Sequence, residues 1–393
     1  MRAIWSKARL DECAEIVSGA TPSTSVKAHW DGEICWATPK DLSDLEGTYI
    51  SETSRRLTRS GLDSCGATIL PAGSVLFSSR APIGHVAVNT VPMATNQGFK
   101  SFIPHADVLE AKYLYWWLRT RRSYLESLGN GATFKEVSKA TVSRIEIPLP
   151  SLNEQRRIAE VLDRAQALRA KRRTALAQLD LLSQSIFIHM FGDPVSNPKG
   201  MTVVRLADVA TRITDGVHLK PDYTKVGIPF ISVKDITTGN LVFDDCKFIS
   251  LEDHERFTKR CKPERHDILY TKVGATYGRP ALIETDREFS IYVSVCLIKP
   301  RKELVHPHFL SVVLATPAVK KQADRRVKGI GVPDLHLDQI QSFLIPLPSM
   351  EEQHEFARRI LTVEKLKKTQ RASLAEFEGL FASLQYRAFR GEL

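Results

Sequence analysis

The chain repeats itself at a fixed offset. Ile147-Pro-Leu-Pro-Ser151 recurs as Ile345-Pro-Leu-Pro-Ser349, 198 positions later. The same offset relates Glu154-Gln155 to Glu352-Gln353, Ala159 to Ala357, Leu176 to Leu374 and Phe191 to Phe389. A register kept over more than forty residues means two copies of one structural unit, so any fold for this chain must accommodate that unit twice.

Each copy reads as a long helix. The prolines hold the residues before them extended, Ser151 or Ser349 can serve as N-cap, and Glu154 or Glu352 three positions on completes a capping box. No proline follows until beyond Met190 in the first copy or Ala388 in the second, and helix-favouring Ala, Leu, Arg, Gln, Lys and Glu predominate. A 4,3,4,3 spacing selects Ile158, Leu162, Ala165, Arg169, Arg172, Leu176, Leu179, Ser183, Ile186 and Met190 as one seam. The second copy gives Phe356, Ile360, Val363, Lys367, Gln370, Leu374, Phe377, Phe381, Leu384 and Ala388. Both seams are apolar at their ends and polar at the centre. Either each helix packs on a domain of its own, or the two pair; matching lengths and polar interruptions favour pairing, and an antiparallel arrangement sets the polar centres opposite each other. Arg169, Arg172 and Lys367 then need solvent or acidic neighbours.

The segments between the helices repeat more weakly. Leu10-Asp-Glu-Cys-Ala14 resembles Leu206-Ala-Asp-Val-Ala210, Trp36-Ala-Thr-Pro-Lys-Asp-Leu42 resembles Phe230-Ile-Ser-Val-Lys-Asp-Ile236, and Gly73-Ser-Val-Leu-Phe-Ser78 resembles His266-Asp-Ile-Leu-Tyr-Thr271. Short β-branched and apolar runs punctuated by Gly and Pro predict strands and turns, with short helices such as Lys112–Leu118. The fold class is therefore α+β: two domains of mixed α/β structure joined by two long helices that form an antiparallel coiled coil. The expected boundaries are 1–146 and 193–344 for the domains, and 147–192 and 345–393 for the helical spacers. The copies match in framework and differ between framework positions, as one scaffold carrying two binding surfaces does.

With 393 residues and a formal net charge of +10, spread along the chain, the protein suits a polyanionic partner. The six cysteines, Cys13, Cys35, Cys65, Cys246, Cys261 and Cys296, include no C-x-x-C pair and no Cys/His set with zinc-ligand spacing, so free buried thiols and no metal are expected. Met1-Arg-Ala-Ile-Trp-Ser6 lacks the apolar stretch of a signal peptide and no apolar run is long enough to span a bilayer, so a cytoplasmic protein without membrane contact is expected.

Catalytic motifs are missing. No Pro-Pro dipeptide exists to build the Asp/Asn-Pro-Pro-aromatic motif of an amino-methyltransferase, and no glycine precedes a lysine, which removes the phosphate-binding G-x-x-x-x-G-K-[ST] loop. Pro221-Asp222 followed by Asp245-Cys-Lys247 mimics a magnesium nuclease site, but such short patterns arise often by chance and the first copy has no counterpart. A turn and a strand end are the simpler assignment.

The segment Ile147-Pro-Leu-Pro-Ser-Leu-Asn-Glu-Gln-Arg-Arg-Ile-Ala159, its second copy at 345–357 and the ending Phe389-Arg-Gly-Glu-Leu393 resemble the hallmark helical regions of the specificity subunits of type I restriction-modification systems. Gly19-Ala-Thr-Pro22, Trp36-Ala-Thr-Pro-Lys-Asp-Leu42 and Asn96-Gln-Gly98 are similar to that family's first target-recognition domain. The second domain departs from the pattern: Ile291-Tyr-Val-Ser294 replaces the Asn-Gln-Gly stretch and Thr214-Asp-Gly216 the Gly-Ala-Thr-Pro start.

The resemblance implies a non-catalytic subunit that reads a bipartite, asymmetric double-stranded DNA sequence, one half per domain, while the helices set the gap and dock two DNA methyltransferase subunits and a restriction/translocase subunit. S-adenosylmethionine, ATP and magnesium are then expected on the partners, with no cofactor here. A helix of about 40 residues is about 60 Å long at roughly 1.5 Å per residue, so the half-sites can lie about one DNA turn apart or somewhat more. A different class of reading is a non-catalytic coiled-coil adaptor with two protein-binding domains.

Base readout needs paired donors and acceptors on loops. The DNA-contact candidates are Thr21, Ser23, Lys27, Lys40, Arg80, Asn96, Gln97, Thr133 and Lys135 in the first domain. In the second they are His218, Lys220, Lys234, Lys272, Tyr277, Arg279 and Lys328. Lys40-Asp41 and Lys234-Asp235 recur at matching places and could equally be framework ion pairs. Trp116-Trp117 lies on an apparent helix and is expected in the core.

Overall fold

The structure is a computed structural model that describes residues 5–45, 47–80, 82–131, 135–194, 196–327 and 332–393. It divides into two units, Met1–Arg173 with Ser373–Leu393, and Thr174–Ala372. The division cuts each long helix near its middle, so each unit owns half of both.

The first unit contains a five-stranded sheet in the order Ala14–Ser18, Lys100–Pro104, Val75–Phe77, Val86–Asn89, Tyr49–Ile50, and a three-stranded sheet in the order Arg55–Leu57, Trp30–Ala37, Met93–Thr95. The second unit follows the same plan. Its four-stranded sheet runs Ala210–Asp215, Val295–Pro300, Ile268–Thr271, Pro280–Leu282, and its three-stranded sheet Lys247–Ile249, Ile228–Ile231, Ser290–Ile291. Val75–Phe77 and Ile268–Thr271 are buried at every residue, as continuous apolar runs require when a strand is covered on both faces. The weak sequence matches thus mark equivalent strands.

The Ile-Pro-Leu-Pro segments are strands. Glu146–Leu149 pairs antiparallel with Ser6–Arg9, and Leu344–Leu347 with Thr202–Arg205. These ladders have only two strands, so Pro148 and Pro346 can lie in them despite lacking an N–H. Each ladder leads into a long helix, Leu152–Phe191 and Met350–Ala388. At the second entrance Ser349 and Glu352 form a reciprocal box: the Ser349 amide and hydroxyl donate to the Glu352 carboxylate at 3.0 and 2.8 Å, and the Glu352 amide donates back at 3.3 Å. At the first, Ser151 accepts from the Glu154 amide at 3.4 Å, but the Glu154 carboxylate turns to Arg157 at 2.7 and 2.8 Å. That ion pair holds the Glu154 carboxyl below the usual range.

Within the first unit, Ile158, Leu162 and Ala165 pack with Phe381, Leu384 and Ala388; within the second, Ile186 and Phe187 pack with Phe356 and Ile360. In both, the N-terminal half of one helix meets the C-terminal half of the other, so the pairing is antiparallel. All twenty seam positions are buried or half-buried, including Leu176, Leu179, Val363, Leu374 and Phe377. Arg169 and Lys367 find the acidic neighbours that an antiparallel pairing requires. Arg169 lies 3.7 Å from Glu378 and donates to the Gln166 side chain at 2.8 Å; Arg169 and Arg172 also lie over the rings of Phe381 and Phe377, at 4.3 and 5.6 Å, a cation–π arrangement that tolerates partial burial. Lys367 is 6% exposed and held by Asp180 at 3.1 Å, Glu364 at 2.8 Å and Ser183 at 3.3 Å.

Each domain core closes onto these helices. Glu110 caps a helix, Ala111–Thr120, in which residues 113–118 are all buried, Trp116 and Trp117 among them. His306 caps its counterpart, Pro307–Ala315. The Phe309 ring meets Phe187, Phe191 and Phe356 there, with centroids 5.2 to 6.1 Å apart. Among the described residues no helix is long and apolar enough to cross a membrane, and no group of three or more His, Cys, Asp or Glu is arranged to hold a metal. The described cysteines are free thiols.

Candidate nucleic-acid interface

In the first unit the strand Ala14–Ser18 ends at Gly19, whose backbone lies so close to the 95–96 backbone that a Cβ would stand 1.9 Å from the Asn96 carbonyl oxygen. Only glycine fits there. The Gly19 and Ala20 amides donate to the Phe99 and Thr95 carbonyls at 3.3 and 2.9 Å, which lays the following loop against residues 96–98. The Thr21 hydroxyl donates to the Gln97 side-chain oxygen, and the Asn96 side chain accepts from the Gly98 amide at 2.9 Å. Gly98 in turn sits beside Pro39 and the Arg80 stem. Thr21, Asn96, Gln97, Arg80 and the helix bearing Lys40 therefore converge, although Thr21 and Gln97 lie 76 positions apart in sequence.

Lys135 stands beside Gly129, next to Glu136, which pairs with Arg80 at 3.8 Å. Ser23 and Lys27 lie farther along the 19–29 segment, both exposed; Ser23 bonds to Ser25 at 2.8 Å, and its carbonyl accepts from the Trp30 indole at 3.2 Å. Lys40 and Lys135 are exposed as well. Thr133 and Lys328 lie outside the described residues.

The second unit builds the same site with different side chains. A Cβ on Gly216 would meet the Ile291 carbonyl oxygen at 2.1 Å, so Gly216 is the counterpart of Gly19, and Tyr292 and Ser294 are those of Asn96 and Gly98. His218 and Lys220 are exposed on the loop that follows, and His218 pairs with Asp215 at 3.3 Å. Lys234 is exposed and pairs with Asp245 at 2.9 Å. Tyr277 is half-buried, with its hydroxyl on Asp324 at 2.7 Å and the Lys320 ammonium 3.4 Å from its ring centroid. Arg279 is exposed and donates to the Thr237 carbonyl.

Lys272 is a correction. The turn it opens was expected to present it to DNA, but its side chain is 8% exposed and lies between Asp215 and Asp334 at 3.7 and 3.6 Å. It belongs to the strand end, where the pleat turns it inward. The recurring Lys-Asp pairs are also resolved. Asp41 and Asp235 are capping residues, accepting from Thr38 and from Ser232 through amide and hydroxyl at 2.6 to 2.9 Å. Burial pushes the Asp41 carboxyl up, but the bonds from Thr38 and Ser54 outweigh it and hold it below the usual range. Lys234 lies 4.0 Å from Asp235 but is bonded to Asp245 at 2.9 Å. Lys247 lies 4.0 Å over the Tyr223 ring.

Sequence reasoning missed Arg55. Its guanidinium stacks 3.5 Å over Trp30, which packs edge-on against Trp36 at 5.1 Å. The arginine is exposed yet held, a pre-organised cation of the kind that meets phosphates or base edges. Its signal, two tryptophans six apart and an arginine nineteen residues later, becomes visible only once the strands pair.

The family described as type I restriction modification DNA specificity domain matches this chain twice, over residues 4–178 and 198–376. The chain is 29% identical over 364 residues to the type I restriction enzyme MjaIX specificity subunit of Methanocaldococcus jannaschii, covering 88% of this chain and 83% of that protein. It is 27% identical to the EcoBI specificity subunit of Escherichia coli, over 77% of this chain and 70% of the relative. Among solved structures, a chain from a study of complex assembly and conformational transition of the type I R-M system superposes with a TM-score of 0.61 at 20% identity, covering 99% and 98% of the two chains. The type I restriction-modification S subunit of M. genitalium gives 0.59 at 13%, covering 98% and 96%. With two matches that together span most of its length, the chain belongs to the type I restriction-modification specificity subunit family.

Proposed function

We propose that this chain is the sequence-reading subunit of a type I restriction-modification complex: each unit reads one half of a bipartite, asymmetric DNA site, and the chain itself performs no chemistry. The observation that carries the reading is the contrast between frame and loops. Gly19 and Gly216, Asp41 and Asp235, and Gln155 and Gln353 do the same structural work in the two units, whereas Asn96-Gln97-Gly98 faces Tyr292-Val293-Ser294 and Arg80 faces Val273. One scaffold with two different polar surfaces is what an asymmetric two-part address requires.

Two DNA methyltransferase subunits and a restriction/translocase subunit are the partners of this reading. They bring S-adenosylmethionine, ATP and magnesium, and a methyltransferase partner extrudes the adenine it modifies. The paired helices give them a common support and set the gap between half-sites. The test is co-purification of the chain with a candidate adenine methyltransferase, followed by sequencing of methylated positions in DNA exposed to the complex. A single bipartite motif is the expected result; a complex that methylates no such motif refutes the reading.

A further inference from the structure

Each unit pairs a buried lysine with a carboxylate at residue 136 or 334, and the two units supply that lysine from different strands. In the first unit Lys100, whose side chain is 10% exposed, pairs with Glu136 at 3.1 Å. In the second, Lys272 at 8% pairs with Asp334 at 3.6 Å and with Asp215 at 3.7 Å. Backbone bonds fix the equivalences. The Ser79 amide donates to the Gly98 carbonyl and its carbonyl accepts from Val137; the Lys272 amide donates to the Ser294 carbonyl and its carbonyl accepts from Leu335. Ser79 and Lys272 therefore share one position, and so do Glu136 and Asp334, one residue before Val137 and Leu335. Lys100 stands opposite Ser18 in its sheet, where Cys296 stands opposite Asp215, so the counterpart of Lys100 is Cys296.

The carboxylate thus keeps its place while the lysine changes strand. The Lys272 ammonium lies between Asp215, at the end of the first sheet strand, and Asp334; the Lys100 ammonium meets Glu136 from the strand whose backbone pairs with Ser18. What the two copies share is the ionic link, not the residue that makes it. A buried ion pair is a poor source of net stability, because desolvation offsets most of the attraction, but it does specify one arrangement of the groups it joins. Here those groups are Asp215, at the end of a sheet strand, with Asp334 in the second unit, and Lys100, on the strand that pairs with Ala14–Ser18, with Glu136 in the first. Ser18 and Asp215 lead directly into the segments that begin at Gly19 and Gly216, which carry Thr21 and Ser23 in one unit and His218 and Lys220 in the other, and Glu136 follows Lys135.

We propose that Lys100 with Glu136, and Lys272 with Asp334 and Asp215, are positioning residues that hold the strand end leading to Gly19 or Gly216 and the carboxylate at 136 or 334 in the arrangement that reads the half-site. The inference rests on the DNA-reading function proposed above. The lysines are too buried to meet a phosphate, so they act on sequence discrimination and not on the sequence-independent part of affinity. Lys272→Met therefore relaxes discrimination in one half of the site, Lys100→Met relaxes it in the other half, and neither changes the number of counterions released.

The test uses the full chain assembled with its methyltransferase subunits, titrated by fluorescence anisotropy onto duplexes carrying the methylated motif or single base changes in either half, at several salt concentrations. For Lys272→Met and for Asp334→Asn we expect discrimination to fall about tenfold in one half only, with the slope of log K against log salt unchanged. Lys100→Met and Glu136→Gln should do the same in the opposite half, and Lys272→Arg, which keeps the charge, should retain most of the discrimination. The untouched half serves as the folding control in each variant. A slope reduced by about one with discrimination intact would make the lysine a phosphate contact and overturn the proposal; equal loss in both halves would reduce it to general stability and overturn it too. A wild-type complex that discriminates no sequence fails the DNA-reading function itself, a result distinct from either.

Discussion

Gln155 and Gln353, both fully buried, make the same three hydrogen bonds in their respective units. The Gln155 side-chain oxygen accepts from the Glu110 amide at 2.9 Å and its nitrogen donates to the Val108 and Pro150 carbonyls at 3.0 and 2.9 Å. The Gln353 oxygen accepts from the His306 amide at 2.8 Å, and its nitrogen donates to the Leu304 and Pro348 carbonyls at 3.2 and 2.9 Å. Each glutamine fastens the first turn of a long helix to the loop that opens the domain's capped helix. Replacing Gln353 by leucine strands three buried backbone groups, so we expect a loss of about 3 kcal/mol. Denaturant unfolding should show it, with amide exchange faster at residue 306 and unchanged at 110. Unaltered exchange at 306 would mean that the glutamine fastens nothing.

The burial of Lys367 makes a prediction about charge. Its ammonium is held by Asp180 and Glu364, both of which reach solvent. Lys367→Met leaves two hydrated carboxylates and an apolar seam, and should change stability by less than about 1 kcal/mol. Removing both carboxylates instead strands the ammonium and should cost on the order of 3 kcal/mol. Thermal unfolding of the two variants checks the order, and a more damaging Lys367→Met would contradict it.

The helix cap of the second unit should make it sensitive to acid. Glu110 caps one helix and His306 the other. Burial, together with His308, His354 and His266 nearby, lowers the His306 pKa from 6.5 to about 4. A depressed folded value means that the unfolded chain binds the extra proton, so this contribution is complete above about pH 6.5 and is lost as pH falls toward 4. The second unit should therefore weaken over that window, and His306→Asn should flatten its pH dependence. Unfolding midpoints measured by exchange in each unit between pH 4 and 7 decide the matter; an unchanged slope in the variant would assign the acid response elsewhere.

A cavity of about 900 Å³ in the second unit is lined by Ser183, Val312, Ala315 and Lys367. The corresponding positions of the first unit are Phe381, Trp116, Arg119 and Arg169, where the Trp116 and Phe381 rings meet at 5.7 Å and the arginine lies over Phe381. Three of its lining positions carry smaller side chains than their counterparts. Ser183→Phe combined with Val312→Trp should rebuild the stack and stabilise the second unit by about 1 kcal/mol, read as a raised unfolding midpoint. A lowered midpoint would show that the two copies pack differently there.

Much of this architecture was legible in the sequence because it is local or periodic. The 198-residue offset, the capping serines and the seam spacing named both helices, and every seam position is covered in the structure. The offset also flagged Gln155 and Gln353 before any role was known. What the sequence hid depends on strands meeting across long separations. Phe187 fell outside the seam because its partners Phe309 and Phe356 come from two other helices. Lys272 looked exposed because a glycine-containing turn follows it, whereas the strand end turns it inward. Arg55 and Lys100 carry no local signal, since Trp30 and Glu136 reach them only through sheet pairing. The loop side chains are the least legible, because their setting is made by Gly19, Gly98 and Gly216, whose contribution is an absence of side chain.

The central claim is that each unit reads its own half of a two-part site, and exchanging one unit's domain tests it most directly. Residues 1–146 would be replaced by the corresponding domain of a relative with a different target, the chain assembled with its methyltransferase subunits, and the methylated motif determined by sequencing. The account predicts a new sequence in one half, with the other half and the gap unchanged. A change in both halves, or in neither, would contradict it.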